Sequence, residues 1–331
     1  MVFKKIFANE KGQSAIIAGI VIFVVIAMSA LVLDIGLVHI QSSREQTAAD
    51  AAALAGATLL PVGVDDGEAQ TAVKALVREY AVKNGIANAD VADEKIVLGD
   101  IKDNKFTSVR VELKSEVGFG FARVLGFVKT NVTKAAKAQV EPAVSNGDMV
   151  PLGVKESEFG SNKLVNFVVK KGGGDGEAGF YGVLDLDALQ GGGAKDYNSW
   201  LAYGYGGYLE TGMVLPVEPG NMAGPTYDAF LQRYGRCSHI PACVSGVDEN
   251  GVKNYEEDCP RVVVIVVYKV VQANANMIKK VEITGFAPFI LEKQIDKDEI
   301  LCTQIGDMFT QDGESSETAP AYGLYKITIV E

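Results

Sequence analysis

The chain carries no charged residue between positions 12 and 33, only two histidines and one tryptophan, and no extended run of lysine or arginine. Each scarcity closes off a class of function. A formal net charge of −11 without a concentrated basic stretch argues against nucleic acid as a partner, because phosphate backbones are gripped by clustered Lys and Arg. His39 and His239 have no evident acid or nucleophile partner, and no Gly-x-Ser-x-Gly elbow occurs, so no catalytic set is in view. The glycine-rich stretch 172–176 lacks the Gly-Lys-Ser/Thr ending that cradles a nucleotide phosphate. Neither enzyme activity nor a nucleotide or other cofactor is expected.

What the sequence does contain is apolar and well mixed. Hydrophobic residues make up 48% and charged residues 22% of 331 positions, which suits globular protein with ample core. The expected fold class is α+β: a long N-terminal transmembrane helix, a small α+β lobe, then a β-rich, disulfide-containing C-terminal domain. The expected division is residues 1–61, 62–145 and 146–331.

Residues 12–33 are long enough to cross a bilayer, since twenty residues rising about 1.5 Å each span about 30 Å. Lys4, Lys5 and Lys11 precede this run, and Asp34, Glu45 and Asp50 follow it. The positive-inside bias then keeps the N-terminus cytoplasmic and sends the C-terminal bulk outside, as a single-pass membrane protein. A cleaved signal peptide is the competing reading, with Ala27-Met28-Ser29 as its small-x-small site. The apolar core exceeds the usual signal length, which favours a retained anchor in contact with membrane lipid. Asp34 closes the span, either as a solvated end residue or as a polar contact to a neighbouring membrane helix.

Nothing stops the helix before Pro61, so it should project well beyond the bilayer. Along the projection Ala48, Ala52 and Gly56 recur every fourth residue and form a small-residue ridge suited to close helix packing. The ridge could face the chain's own lobe or other subunits.

Residues 15–57 and the string Gln46-x-Ala48-Ala49-Asp50-Ala51-Ala52-Ala53-Leu54-Ala55, with the basic leader, Gly12 and Asp34-x-Gly36, resemble the N-terminal segment of TadE/TadG-like pilus-assembly proteins of the Flp (tight-adherence) system. The resemblance implies a structural component of a pilus, a minor pilin-like subunit or an anchoring factor, whose partners are other pilus or pilus-assembly subunits met through the N-terminal helix. Gly12 is followed by Gln-Ser-Ala-Ile-Ile, without the Glu typical of prepilin-peptidase substrates. No Asp-x-Ser-x-Ser motif marks a von Willebrand A domain.

Beyond the rod, residues 68–84 carry a helical apolar stripe stopped by Gly85. Residues 95–101 and 106–117 read as a hairpin around Asp103-Asn104, and 130–140 as a third strand. Phe119, Phe121, Leu125 and Phe127 are expected to be core. Asp93, Asp100 and Asp103 lack calcium-loop spacing and read as turn charges.

In the last half, residues 163–170, 180–186, 261–271, 281–291 and 325–330 read as strands, and 226–234 as a helix. The run 261–271 is continuously apolar and should lie centrally, covered on both faces. Pro288 should mark a break or an edge. Asp185 and Asp187 share a strand face but have no partner constellation. Tyr197, Trp200, Tyr203, Tyr205 and Tyr208 form a candidate surface aromatic cluster; exposed they could bind glycan, as in a surface adhesin, and buried they would pack in a glycine-rich sheet. Cys237, Cys243, Cys259 and Cys302 are the disulfide candidates, with three possible pairings. The Cys237-x-His239-x3-Cys243 spacing differs from the common zinc knuckle, so no metal is expected.

Overall fold

The computed structural model describes residues 10–87, 91–92, 95–146, 149–160, 163–170, 182–186, 193–218, 222–246, 254–274, 277–296, 299–311 and 313–330. The chain divides into two compact units, Met1–Gln139 with Thr328–Glu331, and Val140–Ile327.

The first unit begins with a 48-residue helix, α1 (Glu10–Ala57). Strand β1 (Val62–Gly63) follows, then α2 (Gly67–Lys83), whose first turn is capped by the Asp66 carboxylate accepting from the Ala69 amide at 3.0 Å. Gly85 at φ +91° ends that helix. Strands β2 (Ile96–Lys102) and β3 (Lys105–Gly118) form a hairpin whose turn residues Asp103 and Asn104 both take positive φ, as a two-residue hairpin turn demands. A 3₁₀ turn at Ala122–Leu125 leads into β4 (Lys129–Pro142), antiparallel to β3. The division between the units falls inside β4.

The C-terminal half of α1 and helix α2 lie on this sheet. Ala48, Ala49, Ala52, Ala53 and Ala57 are buried with Val73, Val77, Val109, Val111 and Ala136. Small side chains are what let the backbones approach. A Cβ built on Gly56 would come 2.5 Å from Val77 Cγ2 and 3.3 Å from Val109 Cγ1. The small-residue ridge is thus covered by its own unit.

The second unit carries β5 (Ser145–Asn146), β6 (Gly153–Lys155), β7 (Phe167–Lys170), α3 (Ala194–Tyr203), β8 (Leu209–Glu210), β9 (Val214–Pro216), α4 (Ala223–Gly235), β10 (Val262–Asn274), β11 (Met277–Asp296), β12 (Glu299–Gln304), β13 (Met308–Thr310) and most of β14 (Leu324–Ile329), whose last residues belong to the first unit. Its main sheet has the order β6-β10-β11-β12-β7, with β9 on the outer end of β11. The valine run of β10 is central because it feeds two cores. Val263, Ile265 and Val267 join Tyr197, Leu201, Ala229 and Phe230 of α3 and α4 on one face. Val264, Val266 and Tyr268 join Tyr205, Leu215, Phe286 and Leu324 on the other. The two-residue period of a strand turns one continuous apolar string into two buried faces.

Pro288 sits within β11, opposite Val264, where the β12 ladder ends. Its carbonyl accepts from the Ile305 amide at 3.2 Å, just past the last paired residue of β12, so the missing N–H falls at the end of that ladder.

Three expectations need correction. Tyr197 and Trp200 lie on helix α3, not in a sheet. Residues 182–186 make isolated bridges, Leu152 to Val183 and Leu184 to Val217, in place of a strand. Residues 163–166 stay outside β7. Asp93, Asp187, the glycine stretch 172–176 and residues 219–221 lie outside the described residues.

Candidate functional site: the helix boundary and a cysteine–histidine cluster

In α1 nearly every side chain across residues 14–33 is exposed, including Ile16, Ile20, Phe23, Ile26 and Leu33. Residues on all sides of the cylinder are apolar, so no polar face exists to meet water. Each such aliphatic side chain left in water forgoes about 1.5–3 kcal/mol. By length and composition this is a candidate membrane span.

Asp34, next in line, is only 1% exposed. Its carboxylate accepts three backbone N–H bonds, from Gly120 at 2.8 Å, Phe121 at 2.9 Å and Ala122 at 2.6 Å. These amides open the 3₁₀ turn, where the first N–H groups have no partner within the turn. One anion therefore satisfies three donors and is itself satisfied, the condition for burying a charge. Gly120 leaves room for this: a Cβ there would sit 3.3 Å from Asp34 Oδ1. Asp34 is therefore not a solvated residue: it is buried against the turn of its own unit.

The loop that Asp34 holds is closed by Phe119 N–H donating to Val128 carbonyl at 3.0 Å and Phe127 N–H to Ala122 carbonyl at 3.1 Å. It turns Phe121 (52% exposed), Phe127 (63%) and Val128 (56%) outward. The expected Phe core is not formed at Phe121 and Phe127. The sequence could not show this, because the loop's fold depends on a carboxylate 86 residues upstream.

The five aromatic residues do not form one exposed platform. Tyr197 and Tyr205 are buried, Tyr197 with its hydroxyl 2.9 Å from Thr226 Oγ1 and Tyr205 edge-on to Trp200 with ring centroids 5.0 Å apart. Tyr203 and Tyr208 are exposed. The Arg236 guanidinium stacks 4.6 Å over the Tyr203 ring, and the Tyr208 hydroxyl lies 2.7 Å from Ser145 Oγ. Arg233 and Arg236 also donate to the carbonyls of Leu201 and Ala202, so α4 places cations at the C-terminal end of α3.

The cysteine expectation is also corrected. No disulfide joins the four cysteines. Cys302 is buried in β12 among Ile300, Leu291 and Phe289, where burial, and then the nearby Glu292, hold its thiol well above the usual range. The other three converge with a histidine. Cys237, His239 and Cys243 lie on the loop after α4, and Cys259 in the turn that enters β10. His239 Nδ1 is 3.8 Å from Cys237 Sγ and 3.4 Å from Cys243 Sγ. One ligand atom from each of the four residues lies within 4.8 Å of every other.

The walls of this cluster are apolar: Tyr255, Ile290, Ile305 and Val262. Burial alone would raise the Cys237 thiol, but the backbone N–H groups of Cys243 and His239 and the His239 ring outweigh it and bring it down to about 6. Cys259 moves the other way, pushed up to about 12 by burial and its sulfur neighbours. The His239 ring is raised, first by Cys237. Arg261, 2% exposed, donates to the carbonyls of Cys243, Leu291 and Glu292 and lies 4.4 Å from the Tyr234 ring. It braces the floor of the cluster.

Comparison with known proteins finds a likeness for the first feature. Residues 12–59 match the family model "Putative Flp pilus-assembly TadE/G-like", an interval that covers the apolar span, Asp34 and the small-residue ridge. No curated protein and no solved structure matches the chain. Residues 12–59 are thus similar to the TadE/G-like segment of Flp pilus-assembly proteins.

Proposed function

We propose that the chain is a single-pass membrane-anchored structural component of Flp-type pilus assembly, with its N-terminus cytoplasmic and both folded units extracytoplasmic, and that it works without catalysis. The observation that carries this reading is the helix α1 itself. Its first half is apolar all round and exposed, and its second half is locked into the first unit. One element thus joins a lipid-soluble rod rigidly to a folded body, with the family match spanning both halves.

Asp34 sits at the outer edge of the lipid. The loop it holds turns Phe121, Phe127 and Val128 outward, an apolar surface that the lipid edge can cover. This seating would fix the height and tilt of the first unit on the membrane.

The small-residue ridge has no free surface for recruitment, since α2 and β3 cover it. Contact with pilus subunits then falls to the exposed apolar surface of residues 14–33, helix against helix within the bilayer. The burial of Tyr197 and Tyr205 supports this reading over an adhesin that would use the whole aromatic cluster.

The test is deletion of the gene in its own host, with complementation by the wild-type chain and by a chain whose residues 14–33 are replaced with an unrelated transmembrane segment. The proposal expects loss of surface filaments, rescue by the wild type, and no rescue by the swapped span. Full piliation of the deletion strain would contradict it.

A further inference from the structure

We propose that Cys237, His239, Cys243 and Cys259 form a structural zinc(II) site. The geometry fits a single tetrahedral ion. Zn–S and Zn–N bonds of about 2.3 Å and 2.0–2.1 Å give a tetrahedron with edges of about 3.6–3.8 Å. The observed Sγ···Nδ1 separations are 3.8 Å and 3.4 Å, and the whole set closes within 4.8 Å. A binuclear iron–sulfur cluster would spread the same four ligands over two metals. Three soft thiolates and one imidazole are a ligand set that selects zinc over hard cations such as calcium or magnesium.

The count of groups also separates a metal from a disulfide framework. A disulfide uses two sulfurs, so oxidation would leave one thiol of this trio over, and Cys302 is enclosed apart from it in β12. A tetrahedral ion uses all four groups.

The surroundings are those of a ligand set held in place. With His239 Nδ1 turned to the sulfurs, its Nε2 faces the Asp258 carboxylate at 3.6 Å, the side from which a carboxylate orients a ligating imidazole. Backbone N–H groups of His239 and Cys243 point at the Cys237 sulfur, and that of Arg261 at the Cys259 sulfur. The Arg261 guanidinium, bonded to the Cys243 carbonyl, supplies positive charge beside a site that would carry three thiolates.

The role follows from the topology. Cys237 and Cys243 belong to the loop leaving α4, and Cys259 to the turn entering the central strand β10. One ion would tie the loop after α4 to the turn that enters the sheet. All four ligands are supplied by the chain, which leaves no open position for a substrate, so the ion is structural.

The test uses the full-length protein, purified in detergent without chelator or reductant. Elemental analysis is expected to find about one zinc per chain. After exchange, cobalt(II) should give the visible absorption of a tetrahedral site with sulfur-to-metal charge transfer. His239→Ala and Cys259→Ser should each lose the stoichiometric metal, whereas Cys302→Ala should keep it. The wild-type metal content stands on its own should a variant fold poorly. Recovery of metal-free protein with two of Cys237, Cys243 and Cys259 joined in a disulfide peptide would overturn the proposal. So would full metal retention in His239→Ala and Cys259→Ser.

Discussion

The Asp34 carboxylate lies 2.6 Å from the amide of Ala122, 88 residues later, and the pair fixes the first unit at the end of the apolar span. Two further amides, Gly120 and Phe121, share the same anion. Replacing Asp34 by Ala strands three donors. The amides of residues 120–122 should then exchange with deuterium much faster than in the wild type, while those of β3 stay protected. Asp34→Asn keeps one acceptor oxygen and should fall between the two. Unchanged exchange in Asp34→Ala would show that the carboxylate does not hold the loop.

Gly56 tests the packing of the rod. Leucine at that position has no room against Val77 and Val109, and overpacking of a core costs about 1–3 kcal/mol, more than the ~1 kcal/mol that leaving glycine behind gains in a helix. Gly56→Leu should lower the denaturant midpoint of the first unit. Adding Val77→Ala should recover part of the loss, because the two changes meet at one contact.

Arg261 braces the second unit from within. It is buried and donates to three carbonyls contributed by a loop and by β11. Removing a charged donor from buried acceptors costs about 1.5–3 kcal/mol per bond lost, so Arg261→Met should destabilise the unit by at least about 3 kcal/mol in urea unfolding. Lysine cannot reproduce the fork of the guanidinium and should rescue poorly.

Acid should weaken the first unit through Asp100. A hydrogen bond from Lys137, then one from Ser108, holds the Asp100 carboxyl below its ordinary value of 3.8. A folded pKa below the unfolded one means that the unfolded chain binds the proton more tightly. The contribution is therefore whole above the unfolded value and is lost as pH falls through the folded one. In Lys137→Met the Asp100 carboxyl should titrate closer to 3.8 by NMR, and the acid sensitivity of unfolding should shrink.

Much of the architecture can be read from local pattern, and the failures have a common physical source. Helix α1 declares itself by the uncharged run of residues 12–33, and β10 by a valine run that only a strand buried on both faces can use. The β2–β3 hairpin is written in Asp103-Asn104. Helix α3 hides because glycines flank it and its aromatic residues look strand-like, although Tyr197 and Leu201 keep helical spacing. The Asp34 junction and the cysteine–histidine cluster both join residues far apart in sequence. Cys259 reaches its partners only because β10 carries it there, and no spacing rule encodes that.

In the proposed function α1 remains in the membrane and holds both units outside it. Protease treatment of intact cells, followed by alkaline extraction of their membranes, tests this most directly. The protease should remove both units and leave an N-terminal fragment that resists extraction. Full-length chain protected inside the cells, or a soluble chain whose N-terminus begins beyond the apolar span, would contradict it.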